Sequence, residues 1–271
     1  MNEAKSWLED VLAHPITKKD IDLASVRKLN GRLDLRVYLP NTHGFSEWEE
    51  GQKEYEKWYA SGDGYENDVN KFLAEIEYDR PIYEKFKLTG SILDVGGGVG
   101  TTREFIEDIS QYVCCDPFMD VEKNIPSAKV AAYKCLTDKK LNFIGATAEF
   151  LPFREHSFDW VHMRSMLDHV QVPDLAIIEA RRVLKDQGSL LVGLYVEGGK
   201  KGCMSAKELL KHELKELLAR LGFSKYKDHH TWHPSFPNLK KIIMSNGFII
   251  DEVFWQPHWN NTVVYIRAKK A

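Results

Sequence analysis

A glycine-rich stretch between residues 94 and 101 is the part of the sequence whose residue types and spacing most directly predict chemistry. It follows an apolar run and contains Asp94, Gly96, Gly97, Gly98 and Gly100. Glycines let the backbone turn tightly and approach a ligand without a Cβ in the way. A dinucleotide-binding turn has the spacing G-x-G-x-x-G, but here the last position is Thr101. The spacing G-x-G-x-G therefore predicts a nucleotide-like ligand other than a nicotinamide dinucleotide.

A second acidic residue, Asp116, ends the next apolar run, 22 residues after Asp94. A carboxylate at the tip of a strand can accept hydrogen bonds from both hydroxyls of a ribose. The alternative is an exposed loop acid before Pro117. We favour the ribose-binding interpretation because the glycine turn precedes it.

Histidines provide the candidates for a catalytic base, the kind of group that a hydroxyl acceptor requires. They are His169, which follows Asp168, and His230 and His233 of the segment Asp228-His-His-Thr-Trp-His233. The i, i+4 spacing of His229 and His233 is compatible with a metal site. We nevertheless expect no metal ion, because Pro234 and the intervening residues disfavour a helix there. A base that lines a pocket and a hydrogen-bonded loop cluster are the interpretations left open.

The segments that must position these residues alternate between strands and helices from residue 91 onward. Short apolar strands that alternate with helices predict a parallel sheet covered on both faces. The predicted strands cover residues 91–95, 111–115, 141–145, 158–162 and 188–195, and the predicted helices cover residues 101–110, 121–135 and 174–184. A helix over residues 238–245 and an antiparallel hairpin of strands 248–255 and 261–268 complete the pattern.

Two further regions lie outside the alternating pattern. Residues 1–90 predict a mixed appendage, with a half-buried strand over 32–38 and aromatic-rich helices whose Trp48 and Tyr55 would form either core or a substrate wall. Residues 196–237 predict a helical insertion. Its helix begins at a capping box and has an apolar face, and the residues concerned are Ser205, Glu208, Leu210, Leu214, Leu217 and Leu221. We favour a packing helix, and a lid over the pocket is the alternative.

Five segments in order resemble the S-adenosylmethionine-dependent methyltransferases of class I, of the methyltransferase type 11 kind. Besides the glycine turn and Asp116, they are Gly145-Ala-Thr-Ala-Glu-Phe-Leu-Pro-Phe153, the stretch 157–170 that begins Ser-Phe-Asp, and the stretch 179–188. Together they cover roughly residues 90 to 195. The resemblance implies an α/β, Rossmann-like sheet of seven strands over residues 91–271, in the order 3-2-1-4-5-7-6 with the seventh strand antiparallel.

The resemblance also implies how the cofactor, S-adenosylmethionine, is bound before S-adenosylhomocysteine leaves as product. The glycine turn would hold the methionine portion and the ribose, and Asp116 the ribose hydroxyls. Thr147 stands where Asp is common in the family, and its hydroxyl would contact the adenine amino group. The remaining cofactor-binding residues implied are Ala148, Glu149, Met163 and Arg164.

Charge and composition restrict the partners. The formal net charge is -3, whereas nucleic-acid binding requires a basic surface. No apolar run reaches the ~20 residues needed to span a bilayer, and the N-terminus lacks the apolar core of a signal peptide. Four cysteines without a C-x-x-C pair predict no structural zinc.

We therefore expect a cytoplasmic enzyme that methylates a small-molecule acceptor, with a hydroxyl as one candidate for the methylated group, and without a nucleic acid or a membrane as partner. A protein or RNA methyltransferase and a non-catalytic S-adenosylmethionine-binding partner subunit remain the alternatives. The sequence does not distinguish O-, N- and C-methylation, and it does not predict an oligomeric state.

Overall fold

The computed structural model describes residues 7–41, 45–61, 69–107, 111–119, 142–221, 223, 228 and 230–271. The helix predicted over residues 121–135 and the residue His229 lie outside this part of the chain. The helices are α1 (Trp7–Val11), α2 (Phe45–Ser61), α3 (Val69–Phe86), α4 (Pro173–Val183), α5 (Ala206–Arg220) and α6 (Phe236–Ser245). The strands are β1 (Lys28–Leu29), β2 (Arg32–Asp34), β3 (Ser91–Val95), β4 (Gln111–Asp116), β5 (Asn142–Gly145), β6 (Phe158–Arg164), β7 (Leu184–Tyr195), β8 (Phe248–Trp255) and β9 (Val263–Lys270).

One sheet contains all nine strands of the described residues, in the order β1-β2-β5-β4-β3-β6-β7-β9-β8. The part of the sheet formed by β3 to β9, in the order β5-β4-β3-β6-β7-β9-β8, has the strand order that the resemblance implies. Strand β9 runs antiparallel to both β7 and β8, so the predicted C-terminal hairpin is confirmed. Strands β3, β4, β5 and β6 pair in parallel, so their carboxyl ends meet at one edge of the sheet.

The sheet has two strands more than the seven predicted. The hairpin β1–β2 extends it beyond β5, because β2 pairs in parallel with β5 at Leu33 and Ile144. The predicted strand over residues 32–38 is shortened to Arg32–Asp34. Just beyond its end, Arg36 Nε donates to Asp34 Oδ1 at 2.7 Å.

Apolar side chains cover the sheet on both faces, as its buried central strands require. All five residues of β3 are buried. Ile92 packs with Ile82 and Phe86 of α3, whereas Leu93 belongs to a second cluster on the other face, together with residues of α4, α6 and the N-terminal segment. Neighbouring strand residues point to opposite faces, so α3 and the α4–α6 layer sandwich the sheet.

The helix predicted directly after the glycine turn is shorter than expected. A 3₁₀ turn covers only Thr101–Phe105, and Ile106 adopts an extended conformation with φ -100° and ψ 132°. Extended backbone at a β-branched residue ends the helical hydrogen bonding. Residues 108–110 of the predicted helix are outside the described part of the chain.

Helix α5 of the insertion begins at the predicted capping box, in which Ser205 and Glu208 bond each other's backbone. The prediction that its leucine face packs is wrong for the described structure: Leu210 is 72% exposed and Leu214 56%. The side of α5 that faces the protein instead includes Glu216, which is 5% exposed. No helix in the described ranges combines the length and apolar character that crossing a membrane requires.

Candidate active site

A cleft opens at the carboxyl ends of β3 to β6. The space inside it amounts to about 800 Å³ when the solvent space at its mouth is counted. In an open parallel sheet this edge is where ligands bind, beside the strand at which the order reverses. The lining residues come from the strand ends and from α2, and they are Trp48, Gln52, Tyr55, Val95, Gly96, Gly98, Asp116, Pro117, Phe118, Ala146, Thr147, Ala148, Glu149, Ser165, Met166, His169 and Val170.

The glycine turn forms the floor of the cleft. Gly96 and Gly98 have φ values of +67° and +54°, which only glycine adopts without strain. A Cβ at Gly96 would lie 2.7 Å from Met166 Cβ. The turn is fixed to β4 because Gly96 N donates to the carbonyl of Cys115 at 2.8 Å. The backbone therefore approaches the cleft as closely as the spacing of the glycines predicts.

Asp116 ends β4 beside this turn, and its carboxylate is held by two backbone amides. Gly98 N donates to Oδ2 at 3.1 Å and Phe118 N donates to Oδ1 at 2.8 Å. Burial raises the pKa of Asp116 to about 6, although both amides oppose the shift. A carboxylate has about four acceptor positions, so this geometry leaves acceptors for two ligand hydroxyls.

The side chain of Asp94 does not line the cleft. It is 1% exposed, its Oδ1 lies 2.8 Å from His162 Nδ1, and its Oδ2 accepts the hydroxyl proton of Tyr112. Gly97 and Gly100 also lie outside the lining. A Cβ at Gly97 would meet Asp94 Oδ2 at 2.6 Å, so this glycine permits the carboxylate to pack beneath the turn.

The resemblance implies three cofactor-binding residues after β5. The side chains of two of them already form hydrogen bonds within the protein. Thr147 Oγ1 donates to the carbonyl of Val37 at 2.7 Å. Glu149 Oε1 accepts the amides of Gln171 at 2.7 Å and Val172 at 3.2 Å, and burial raises its pKa. Ala148 offers only its backbone. These contacts join the N-terminal segment and the start of α4 to the same wall of the cleft.

Met163 and Arg164, implied as cofactor contacts, are placed elsewhere by the structure. Met163 is completely buried in the centre of the sheet, opposite Val95 on β3 and Val192 on β7. Arg164 turns away from the cleft, and its Nη2 lies 2.8 Å from Asp79 Oδ2. The residues of this strand end that do line the cleft are the next two, Ser165 and Met166.

Aromatic side chains and a histidine form another part of the cleft, which is called the aromatic end below. Trp48 and Tyr55 of α2 face His169 of the loop after β6. The Tyr55 hydroxyl lies 3.2 Å from His169 Nε2. Burial raises the pKa of Tyr55 to about 12 and lowers the pKa of His169, so near neutral pH this contact joins a protonated phenol and a neutral imidazole.

The structure brings His230 next to His169, whereas His233 lies one ring further from the cleft. The rings of His169 and His230 stack with centroids 4.4 Å apart, and those of His230 and His233 are 5.2 Å apart. His233 Nε2 lies 2.8 Å from Asp228 Oδ2. Of the three histidines predicted as bases, His169 lines the cleft and His230 supports it from behind.

Sequence reasoning missed several lining residues. Phe118 could have been predicted from its position two residues after Asp116, since a residue beside a strand-end carboxylate often shares its site. Ser165 has φ +49°, a strained conformation of the kind that clusters at functional sites, but a sequence does not report φ. Gln52 is one polar residue among many on α2, and nothing in its surroundings distinguishes it.

Comparison with known proteins identifies the domain around this cleft. Residues 93–192 match the family model described as a methyltransferase domain. The ubiquinone/menaquinone biosynthesis C-methyltransferase UbiE of Rhizobium rhizogenes is 39% identical over 103 residues, which are 37% of this chain and 40% of that relative. The chain contains a class I methyltransferase domain. S-adenosylmethionine is the cofactor of such domains.

More distant relatives cover more of the chain. An uncharacterised protein of Methanocaldococcus jannaschii is 26% identical over 213 residues, 72% of this chain and 90% of that protein. The solved 1,6-didemethyltoxoflavin-N1-methyltransferase of Burkholderia thailandensis, with bound S-adenosylhomocysteine, has a TM-score of 0.57 at 14% identity and covers 90% of this chain and 98% of that chain. At this identity the likeness shows that the methyltransferase fold extends beyond the matched residues.

Proposed function

We propose that the protein transfers the methyl group of S-adenosylmethionine to the hydroxyl of a small-molecule acceptor. The observation behind this proposal is the division of one cleft into two ends of different chemistry. The glycine turn and Asp116 form a polar end that fits a nucleoside. Trp48, Tyr55 and His169 form an aromatic end of limited size, which suits a small acceptor better than a macromolecule.

At the polar end, the hydrogen bonds that the residues already form leave each of them able to contact the cofactor. Asp116 would accept the two ribose hydroxyls through the positions that Gly98 and Phe118 leave open. The amide of Ala148 would meet a ring nitrogen of adenine. Thr147 Oγ1 gives its proton to Val37 but keeps lone pairs, so it can still accept from the adenine amino group.

At the aromatic end, the protein would orient the acceptor and receive its proton. S-adenosylmethionine supplies a methyl group that its sulfonium charge already activates, so positioning of the acceptor provides much of the rate enhancement. A hydroxyl also has to lose its proton. The groups in place for this are His169 and, behind it, Asp168 and His230, whose carboxylate and imidazole lie 3.5 Å apart.

The cofactor assignment is tested by calorimetric titration of the full-length chain with S-adenosylhomocysteine. Asp116→Ala should weaken binding by about a hundred-fold or more, since it removes two hydrogen bonds to a charged group, each worth ~1.5–3 kcal/mol. Asp186→Ala is the matched control, because Asp186 is 79% exposed and belongs to a surface pair with His156.

Absence of binding to the unmodified chain would refute the proposed donor, and unchanged affinity of Asp116→Ala would refute the role of this carboxylate. The acceptor is then sought with S-adenosylmethionine carrying a labelled methyl group and a panel of hydroxylated, amine and acidic-carbon compounds. Label transfer to amines alone would contradict the hydroxyl assignment.

A further inference from the structure

Three potential metal ligands meet behind the aromatic end of the cleft. Asp168, His169 and His230 each offer one ligand atom, and these atoms lie within 4.8 Å of one another. The residues belong to two segments that are far apart in the sequence, which Thr231 holds together. Its amide donates to the carbonyl of Asp168 at 2.8 Å and its Oγ1 to that of Val170 at 2.6 Å. The backbone therefore fixes the cluster independently of its side chains.

The distances inside the cluster suit a shared ion better than direct hydrogen bonds. Asp168 Oδ1 lies 3.8 Å from His169 Nε2, and Asp168 Oδ2 lies 3.5 Å from His230 Nε2. Hydrogen bonds of this kind are about 2.7–3.2 Å long. Ligand atoms 2.0–2.1 Å from one tetrahedral ion, by contrast, are separated from each other by about 3.3–3.4 Å. The two separations, which involve different oxygens of the Asp168 carboxylate, are about 0.1–0.5 Å longer than that value, and the three ligand atoms lie within 4.8 Å of one another, so the side chains would draw in around a bound ion.

The buried carboxylate of Asp168 also lacks the partners that its burial requires. Asp168 is 8% exposed, and its Oδ1 accepts no hydrogen bond from any described residue. A buried carboxylate oxygen without a partner is costly. A cation held between this carboxylate and the two imidazoles would remove that cost.

A further carboxylate lies beside one of the imidazoles. His230 Nδ1 lies 3.1 Å from Asp228 Oδ2, and its other ring nitrogen, Nε2, faces Asp168. Asp228, His230 and His233 form an alternative ligand set, but Asp228 lies at hydrogen-bond distance from both imidazoles and its side chain is 52% exposed. These distances place Asp228 behind the ligands and not among them.

We propose that Asp168, His169 and His230 bind one divalent transition-metal ion at the aromatic end of the cleft. Two imidazoles and one carboxylate suit zinc and its first-row neighbours, whereas magnesium and calcium prefer oxygen ligands alone. This site differs from the one weighed in the sequence, where only the His229–His233 spacing suggested a metal. Ion binding replaces the hydrogen bond between Tyr55 and His169 Nε2.

Three protein ligands leave a coordination position open, and His169 lines the cleft, so that position would face the acceptor. An ion there would lower the pKa of a bound hydroxyl and take over the task of a base. This role rests on the proposed methyl transfer, but the ion-binding site itself does not.

The test is titration of the full-length, chelator-treated protein with zinc chloride, by calorimetry, together with cobalt(II) absorption spectroscopy. We expect one ion per chain. His169→Gln and His230→Gln should each weaken zinc binding by at least ten-fold and change the cobalt spectrum, with circular dichroism confirming that each variant is folded. His156→Gln is the matched control, since its imidazole lies 3.0 Å from the Asp186 carboxylate in a surface pair, and it should bind zinc like the unmodified chain.

Two results would overturn the proposal. One is the absence of stoichiometric binding by the unmodified chain. The other is normal affinity of His169→Gln combined with a loss in His233→Gln, which would move the ion to the alternative set. A parallel titration with S-adenosylhomocysteine separates this proposal from the previous one: zinc binding without S-adenosylhomocysteine binding would refute the proposed donor alone, and the converse would refute the metal site alone.

Discussion

Asp116 determines how the polar end of the cleft responds to pH. Burial raises its pKa to about 6 in the unliganded protein, and acceptance of two ribose hydrogen bonds would favour the ionised form and lower that pKa again. By linkage, a ligand that prefers the ionised form binds more weakly as the pH falls below the pKa of the free protein. We therefore expect the affinity for S-adenosylhomocysteine to fall between pH 7 and pH 5, by up to about ten-fold per pH unit below pH 6.

Calorimetric titration at several pH values checks this expectation, with Asp116→Asn as the comparison. That variant should bind weakly and with little dependence on pH. It retains Glu149 and His169, the other carboxyl and imidazole groups that line the cleft, so a pH dependence that persists in it belongs to those groups. An unmodified protein with constant affinity between pH 7 and pH 5 would contradict the role of Asp116.

The residues that the sequence could identify are those whose task is set locally. The glycine turn and Asp116 are defined by strand ends and spacing, and the structure places them together at the cleft. Asp94 has the expected position in the chain, but its carboxylate is used by His162, a contact across 68 residues. A motif predicts where such a residue lies in the fold. It does not predict which distant side chain forms a hydrogen bond with its carboxylate.

At the scale of elements, hydrophobic periodicity predicted the strands and most helices but not which helix faces are covered. The leucine face of α5 satisfies the pattern of a packing helix, yet it is exposed in the described structure. Periodicity reports that a face is apolar, whereas burial depends on a partner surface that a single helix does not specify. The same limitation applies to Trp48 and Tyr55, for which the sequence did not distinguish core packing from a substrate wall.

The exposed face of α5 leads to a prediction about stability. Leu214→Ala, at a side chain that is 56% exposed, should change the free energy of unfolding by less than about 0.5 kcal/mol. Leu239→Ala in α6 is the matched variant, because Leu239 is completely buried, and it should cost about 2–5 kcal/mol. Urea unfolding followed by circular dichroism measures both. A loss above 2 kcal/mol for Leu214→Ala would show that this face is covered in solution.

At the scale of the whole molecule, the N-terminal segment is joined to the methyltransferase domain by backbone as well as side chains. Ala13 N donates to the carbonyl of Pro152 at 2.9 Å, and Arg154 N donates to that of Val11 at 2.8 Å. Leu12 is 1% exposed within the cluster that contains Leu93. The division of the chain at residue 90 was predicted from a change of sequence pattern, which does not report whether the two parts share a core.

This shared core predicts that the N-terminal segment and the methyltransferase domain unfold together. Leu12→Ala should lower the free energy of unfolding by about 2–5 kcal/mol, as expected for a cavity in a packed core, and shift the whole transition. Ile16→Ala is the control from the same segment, because Ile16 is 60% exposed, and it should have little effect. Far-ultraviolet and near-ultraviolet circular dichroism should report the same midpoint for every variant. An early partial transition in Leu12→Ala, with the remainder unfolding at its usual midpoint, would instead show that residues 1–90 are an independent unit. The part of the cleft wall that Trp48 and Tyr55 contribute would then be separable from the methyltransferase domain.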